Sequence, residues 1–331
     1  VKFLRTIALA AAISLFAFAA LSGCGASEEA KEAGTGAKRT IKIGYLPITH
    51  AAPLYIEEEL GKHGYGNFEL QLVKFGSWPE LMDALNTGNI DGASVLVELA
   101  MLAKDQGIDL KAVALGHKDG NVVVASPDIR SAADLKGKSF AIPHEYSTHN
   151  ILLYQTLKKA GLTFEDVQVV ELPPAEMPAA LAERRISGYV VAEPFGARSV
   201  ASGTGKVLHQ SGELWPDSIC CALVLRNDLI EDDPEAVQQL VKQYVEAGEA
   251  AEHKDEQVKE TFSKYMNVDE NVLDLSLEWI SYDDLKLDER TYEELRQVLT
   301  EMKLFENPPA FADFVDNSFI DKALQEHEAD S

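Results

Sequence analysis

Beyond residue 40 the chain alternates short apolar runs with stretches whose apolar residues recur at helical spacing. That βα order predicts parallel sheets covered by helices. Residues 41–46, 90–96, 110–116, 139–142, 167–172 and 186–191 read as strands. Ser77-Trp78-Pro79-Glu80 has the form of a capping box and opens a helix whose apolar positions Leu81, Ala84 and Leu85 precede a stop at Gly88. A second helix is predicted over 147–161, and the chain from Pro234 onward is mostly helical in pattern.

A shift of 96 residues lays Glu80, Ala84, Leu85, Ile90, Gly92 and Val95 on Glu176, Ala180, Leu181, Ile186, Gly188 and Val191. The same shift puts Lys42 on Lys138 and Pro47 on Pro143. One offset serving separate strand ends predicts two related α/β lobes. Ligands of open α/β sheets sit outside the carboxyl ends of the strands, so the ends near Pro47 and Pro143 are expected to face each other across a cleft. Residues 120–126 and 219–225 are then the outward and return crossovers of a hinge.

The first residues bear on destination. Lys2 and Arg5 precede an apolar run over 6–21, short for a spanning helix and laid out like a secretory signal. The run ends Leu21-Ser22-Gly23-Cys24, which resembles a bacterial lipobox, so cleavage before Cys24 and lipidation of its thiol are expected. Residues 25–39 are small, polar and charged, the composition of a flexible tether. The expected organisation is a signal peptide over 1–23, a lipidated tether over 24–39, a first lobe over 40–125 and a second lobe over 126–218. Residues 219–331 supply the return crossover, the rest of the first lobe and the C-terminal helices.

Composition narrows the partners. With 46% hydrophobic and 25% charged residues, 331 residues can bury one large or two ordinary cores. Thirty basic against 54 acidic residues give a net charge of −24, and loss of residues 1–23 makes it −26. A surface that acidic repels a phosphate backbone, which argues against nucleic acid. Three cysteines cannot build a disulfide framework.

Four of the eight histidines fall in predicted cleft loops: His50 after the first strand, His117 after the strand 110–116, and His144 and His149 around the second lobe's first strand end. Beside them lie Thr49, Trp78, Glu98, Tyr146, Ser147, Thr148 and Glu193. Ser147 and Thr148 head a predicted helix, whose free N–H groups and positive dipole end attract an anion. The plain alternatives are an N-cap for Ser147, core packing for Trp78 and a helix cap for Glu193. No H-x-x-x-H spacing supports zinc, and a metal held by His50, His117, His144 and His149 stays open as an alternative. Cys220-Cys221 lies in an apolar run whose side chains alternate faces, which reads as buried structural thiols. No nucleophile elbow, P-loop or dinucleotide fingerprint appears, so neither an enzyme nor a cofactor is expected.

The string Gly44-Tyr45-Leu46-Pro47-Ile48-Thr49-His50-Ala51-Ala52-Pro53-Leu54 resembles the opening of the solute-binding lipoproteins of nitrate, bicarbonate, taurine and alkanesulfonate ABC importers, nearest the nitrate/bicarbonate branch. Trp78 with its helix, Gly88-Asn89-Ile90-Asp91-Gly92-Ala93, Ser147-Thr148-His149, Pro173-Pro174-Ala175-Glu176-Met177 and Gly188-Tyr189-Val190-Val191-Ala192-Glu193-Pro194-Phe195 continue the resemblance in order. It implies a type II periplasmic-binding-protein fold, two parallel-sheet lobes joined by a hinge with a helical C-terminal part. It also implies an extracytoplasmic, lipid-anchored monomer that closes on a small solute and delivers it to a permease with a cytoplasmic ATPase. Carried over residue by residue, it puts Trp78, Thr148, His149 and Glu193 at the site, with Thr49 and His50 from the first loop. His117 and Ser147 join them on the loop reading above. His50 departs from the acidic residue frequent there in nitrate and bicarbonate members, which puts bicarbonate in doubt. Pyrimidine-type thiamin precursors, bound by other members of the wider superfamily, are the remaining alternative.

Overall fold

The computed structural model describes residues 38–62 and 66–330; the signal segment, Cys24 and nearly all of the tether lie outside them. The chain first forms β1 (Arg39–Tyr45), β2 (Phe68–Lys74), β3 (Gly92–Leu96) and β4 (Leu110–Leu115). After a two-residue β5 (Lys118–Asp119) it runs through β6 (Asn121–Ala125), β7 (Ser139–Ile142), β8 (Gln168–Glu171), β9 (Gly188–Ala192) and β10 (Lys206–Gln210). It then returns as β11 (Cys221–Arg226), and a short β12 (Ile280–Ser281) pairs with β5.

Two five-stranded sheets result, in the orders β2-β1-β3-β11-β4 and β10-β6-β9-β7-β8. Reading the second order backwards, the two sheets are built alike, with β8, β7, β9, β6 and β10 in the places of β2, β1, β3, β11 and β4. The expectation of parallel sheets needs a correction, because β11 runs antiparallel to β3 and β4, and β6 antiparallel to β9 and β10. These two strands are the crossovers themselves. Each enters its sheet from the opposite side of the molecule and so runs against its neighbours. For the same reason Asn121–Ala125, assigned to the first lobe by sequence, is a strand of the second sheet.

Local sequence explains the layers. Central strands such as β3 (GASVL) and β9 (GYVVA) are buried throughout, as strands covered on both faces must be. The edge strand β2 alternates half-exposed positions, a weaker pattern that the sequence reading passed over, as it did β10. The helix Trp78–Asn86 starts after Ser77, but the capping box is not closed: Glu80 Oε2 accepts from the Gly76 N–H at 3.3 Å. From Pro234 the chain is mainly helical, with the longest helix at Pro234–Glu252. Among the described residues no helix is long and apolar enough to cross a membrane.

The repeat is real, with a one-residue slip. Asn89 N donates to the Ala84 carbonyl and Arg185 N to the Ala180 carbonyl, each at 2.9 Å, as the shift of 96 requires. In the first strands, however, the Lys42 carbonyl accepts from Asp91 N where the Ser139 carbonyl accepts from Ser187 N. Lys42 therefore corresponds to Ser139 and not Lys138, and the match of Pro47 with Pro143 is displaced by the same residue.

Gly92 and Gly188 open β3 and β9 at the point where the crossover strand packs closest. A Cβ at Gly92 would stand 2.7 Å from the Val224 carbonyl oxygen, and one at Gly188 2.7 Å from that of Val124. We predict that Gly92→Ala and Gly188→Ala each lower stability by about 1–3 kcal/mol, the usual scale of overpacking, in urea denaturation. A loss at one position and none at the other would contradict their equivalence.

Candidate functional site

Polar residues converge where β1 and β4 end and where the two crossovers pass. Three buried tyrosines shape these ends by donating to backbone carbonyls. The Tyr55 hydroxyl shares its one hydrogen between the carbonyls of Leu46 (3.0 Å) and Ile48 (2.9 Å), Tyr282 donates to that of Thr49 (2.9 Å) and Tyr244 to that of Leu115 (3.1 Å). The loop after β1, carrying Thr49 and His50, and the loop after β4, carrying His117, are thereby fixed side by side. Gly116 permits the approach, since a Cβ there would lie 2.6 Å from the His50 carbonyl oxygen.

The two halves meet through Thr49 and Thr148. Thr49 donates its N–H (2.9 Å) and its hydroxyl (3.2 Å) to the Glu193 carbonyl just past β9. The Thr148 hydroxyl, at the head of the helix Thr148–Lys159, lies 2.7 Å from Glu98 Oε1 and 2.9 Å from the Ile219 carbonyl. A hydroxyl has one hydrogen to give, and the carbonyl can only accept. Both contacts are satisfied when Glu98 is a neutral acid donating to Thr148. Burial, with Cys220 nearby, pushes the Glu98 carboxyl up to about 8, in agreement.

Thr49, His50, Trp78, Glu98, His117, Ser147, Thr148, His149 and Glu193 are all at most 1% exposed. The imidazole of His50 stacks on His117 at 3.6 Å between centroids and lies nearly parallel to His149 at 6.4 Å. His50 Nε2 is 3.0 Å from the Gly120 carbonyl, so Nε2 bears a hydrogen. His50 Nδ1 faces two sulfurs, Cys221 Sγ at 3.6 Å and Cys220 Sγ at 3.8 Å, which lie 3.9 Å apart. The alternation expected of these cysteines fails because Cys220 precedes β11 and is not held by its pleat. Sequence reasoning thus missed both as site residues; their position at the start of the return crossover was the available signal.

Several buried polar atoms have no hydrogen-bond partner: both ring nitrogens of His117 and of His149, Glu98 Oε2, Glu193 Oε1 and Trp78 Nε1. Burial lowers the pKa of His117 and brings His149 down to about 4, so both imidazoles are neutral near pH 7. Burial also raises Glu193 to about 8. Its Oε2 accepts from Ala197 N (2.9 Å), capping the helix Phe195–Ala201, and lies 3.1 Å from the Ser276 hydroxyl, which also reaches the Val272 carbonyl at 2.7 Å, while Oε1 stays free. Ser147 is engaged as an N-cap, accepting from Asn150 N at 3.1 Å and donating to the His144 carbonyl. His144 stands apart: its Nδ1 accepts from Tyr146 N, and it lines a different cavity with Pro79, Met82 and Leu99. The four histidines considered as a metal set are therefore not gathered; His50 and His117 come together with Cys220 and Cys221 instead.

Comparison with known proteins adds four findings. The model of the NMT1-like family matches residues 34–265. A nitrate/nitrite binding protein, NrtA of Nostoc sp., is 31% identical over 255 residues, 69% of this chain and 58% of the relative; the chain thus spans little more than half of that relative's length. Among solved structures, one described as the ligand binding component of an ABC-type import system from Staphylococcus aureus with zinc bound is 41% identical, with a TM-score of 0.83 over 86% of this chain and 99% of that one. The periplasmic nitrate-binding protein NrtA from Synechocystis, at 21% identity and a TM-score of 0.76 over 88% of this chain and 89% of its own, shares the fold. The periplasmic-binding-protein fold expected from the sequence is the one these neighbours have.

The state of Glu193 has a pH consequence. A buried carboxyl whose pKa rises from 4.5 to about 8 on folding binds its proton more tightly in the native state, so stability falls as pH climbs through that interval. Glu193→Gln, neutral at every pH, is expected to lose less Tm than the wild type between about pH 5 and about pH 9. Parallel Tm curves for the two proteins would show that this carboxyl does not titrate there.

Proposed function

The chain belongs to the NMT1-like family, and from that premise we propose that it is the solute-binding component of an ABC importer, closing its two sheet-based lobes on a small oxyanion. The observation that carries this reading is the His149 imidazole, buried next to Thr148 at the contact between the halves with neither ring nitrogen hydrogen-bonded. Leaving such an atom unsatisfied costs on the order of 1–3 kcal/mol, and a polar solute seated beside it removes that cost.

The lining suits an oxyanion of the nitrate or sulfonate kind. Among the described residues no lysine or arginine is buried, so recognition rests on neutral donors: an imidazole N–H of His149 and the indole N–H of Trp78. In this reading His50 and His117 floor the site, Thr49 and Thr148 latch the lobes, and Ser147 fixes the helix that presents His149. The names of the relatives, nitrate/nitrite binding among them, support the same solute class. The lipobox-like Leu21-Ser22-Gly23-Cys24 supports an extracytoplasmic chain anchored through Cys24, tethered by residues 24–39 and working with a permease and its ATPase.

Calorimetric titration with nitrate, bicarbonate, taurine and short alkanesulfonates tests the reading. One of them is expected to bind with a compaction visible in small-angle scattering, and His149→Ala to weaken it by about tenfold or more, roughly 1.4 kcal/mol. No heat from any of the four, with unchanged scattering, would sink the oxyanion reading.

A further inference from the structure

Beneath the proposed solute site lies a cluster that hydrogen bonding does not explain. His50, His117, Cys220 and Cys221 are buried, and one ligand-type atom from each lies within 4.8 Å of every other. A tetrahedral zinc ion, with bonds of about 2.3 Å to sulfur and about 2.0 Å to nitrogen, holds its sulfurs about 3.8 Å apart and each sulfur about 3.5 Å from a nitrogen. The corresponding separations are 3.9 Å between the sulfurs and 3.6 and 3.8 Å from His50 Nδ1. His50 Nε2 gives its hydrogen to the Gly120 carbonyl and turns Nδ1 toward the two sulfurs, the outer-shell arrangement that orients metal-binding histidines. His117 contributes a buried ring with neither nitrogen hydrogen-bonded. The Asn121 side-chain oxygen, 3.8 Å from Cys220 Sγ, and the Glu98 carboxyl, held neutral by burial, are polar neighbours of the cluster.

We propose that His50, His117, Cys220 and Cys221 form a Cys2His2 site for one thiophilic divalent ion, zinc in the first instance, seated where both crossovers leave the first sheet. Two thiolates and two neutral imidazoles are a borderline-soft donor set that favours zinc over magnesium or calcium. On binding, both thiols release their protons to solvent, and the two sulfur–metal bonds leave a centre with no net charge. Place in the chain gives the site a mechanical meaning. His117 stands just before the outgoing crossover β6, and Cys220 and Cys221 begin the returning crossover β11. An ion held there ties both hinge segments to the loop after β1. This inference goes beyond the importer reading and does not depend on which oxyanion is carried.

The test uses the full chain kept under reducing conditions. Elemental analysis is expected to find one zinc per chain after addition and desalting, with a rise in Tm that a chelator reverses. Cobalt(II) in place of zinc is expected to give tetrahedral d–d bands with thiolate-to-cobalt charge transfer. Cys220→Ser with Cys221→Ser should abolish the charge transfer, His117→Ala should weaken zinc by tenfold or more, and His144→Ala, outside the cluster, should retain it. Reduced wild-type chain that takes up neither ion, or a cobalt spectrum without thiolate charge transfer, overturns the proposal whatever the variants do. Zinc binding with silence toward the oxyanions leaves the metal site standing and removes the oxyanion reading; the opposite pattern does the reverse.

Discussion

The arrangement depends on an exchange of strands. β6 leaves the first half of the chain to complete the second sheet, and β11 leaves the second to complete the first, each inserted antiparallel between its neighbours. Both crossings pass through one junction, and the ends of β1, β4 and β9 close over it. Backbone groups in such a place are cut off from water and need partners. Tyr55, Tyr244 and Tyr282 answer that need from the surrounding helices and the C-terminal segment, which explains why helical chain past residue 234 is required by a site whose polar side chains come from earlier in the sequence.

Electrostatics at the junction follow from burial without a compensating cation. Carboxyls at Glu98 and Glu193 are held in their neutral form and the imidazoles of His117 and His149 in theirs, all chiefly by desolvation. An acidic chain of net charge −24 thus encloses four ionisable side chains held neutral near pH 7. The surplus carboxylates act on solubility and long-range encounter, while hydrogen-bond donors and soft ligand atoms set what happens inside.

Much of this was legible beforehand, for reasons that can be named. Fully buried strands such as β3 and β9 announce themselves as apolar runs, and the glycine at the head of each marks the repeat because a carbonyl of the crossover strand leaves no room for a Cβ. Edge strands β2 and β10 leave a faint signal, β2 because its positions alternate between half-buried and exposed and β10 because all of its residues are only half-buried. The repeat slipped by one residue at Lys42 because register is fixed by hydrogen bonds such as Asp91 N to the Lys42 carbonyl, which residue identity does not encode.

The sequence by itself determined the βα order, the fold class, the family resemblance and most of the polar residues that end up buried. Those properties live in periodicity and local motif, which the chain carries whatever its tertiary contacts. Only the folded molecule decided which side chains share a neighbourhood. His144 and His149 are close in sequence to each other, yet the ring of His50 lies beside His117 and the Cys220-Cys221 pair, 170 positions away. The reason is physical: distance between loops is set by strand order and by where the returning β11 inserts, and that insertion is a property of the completed sheet.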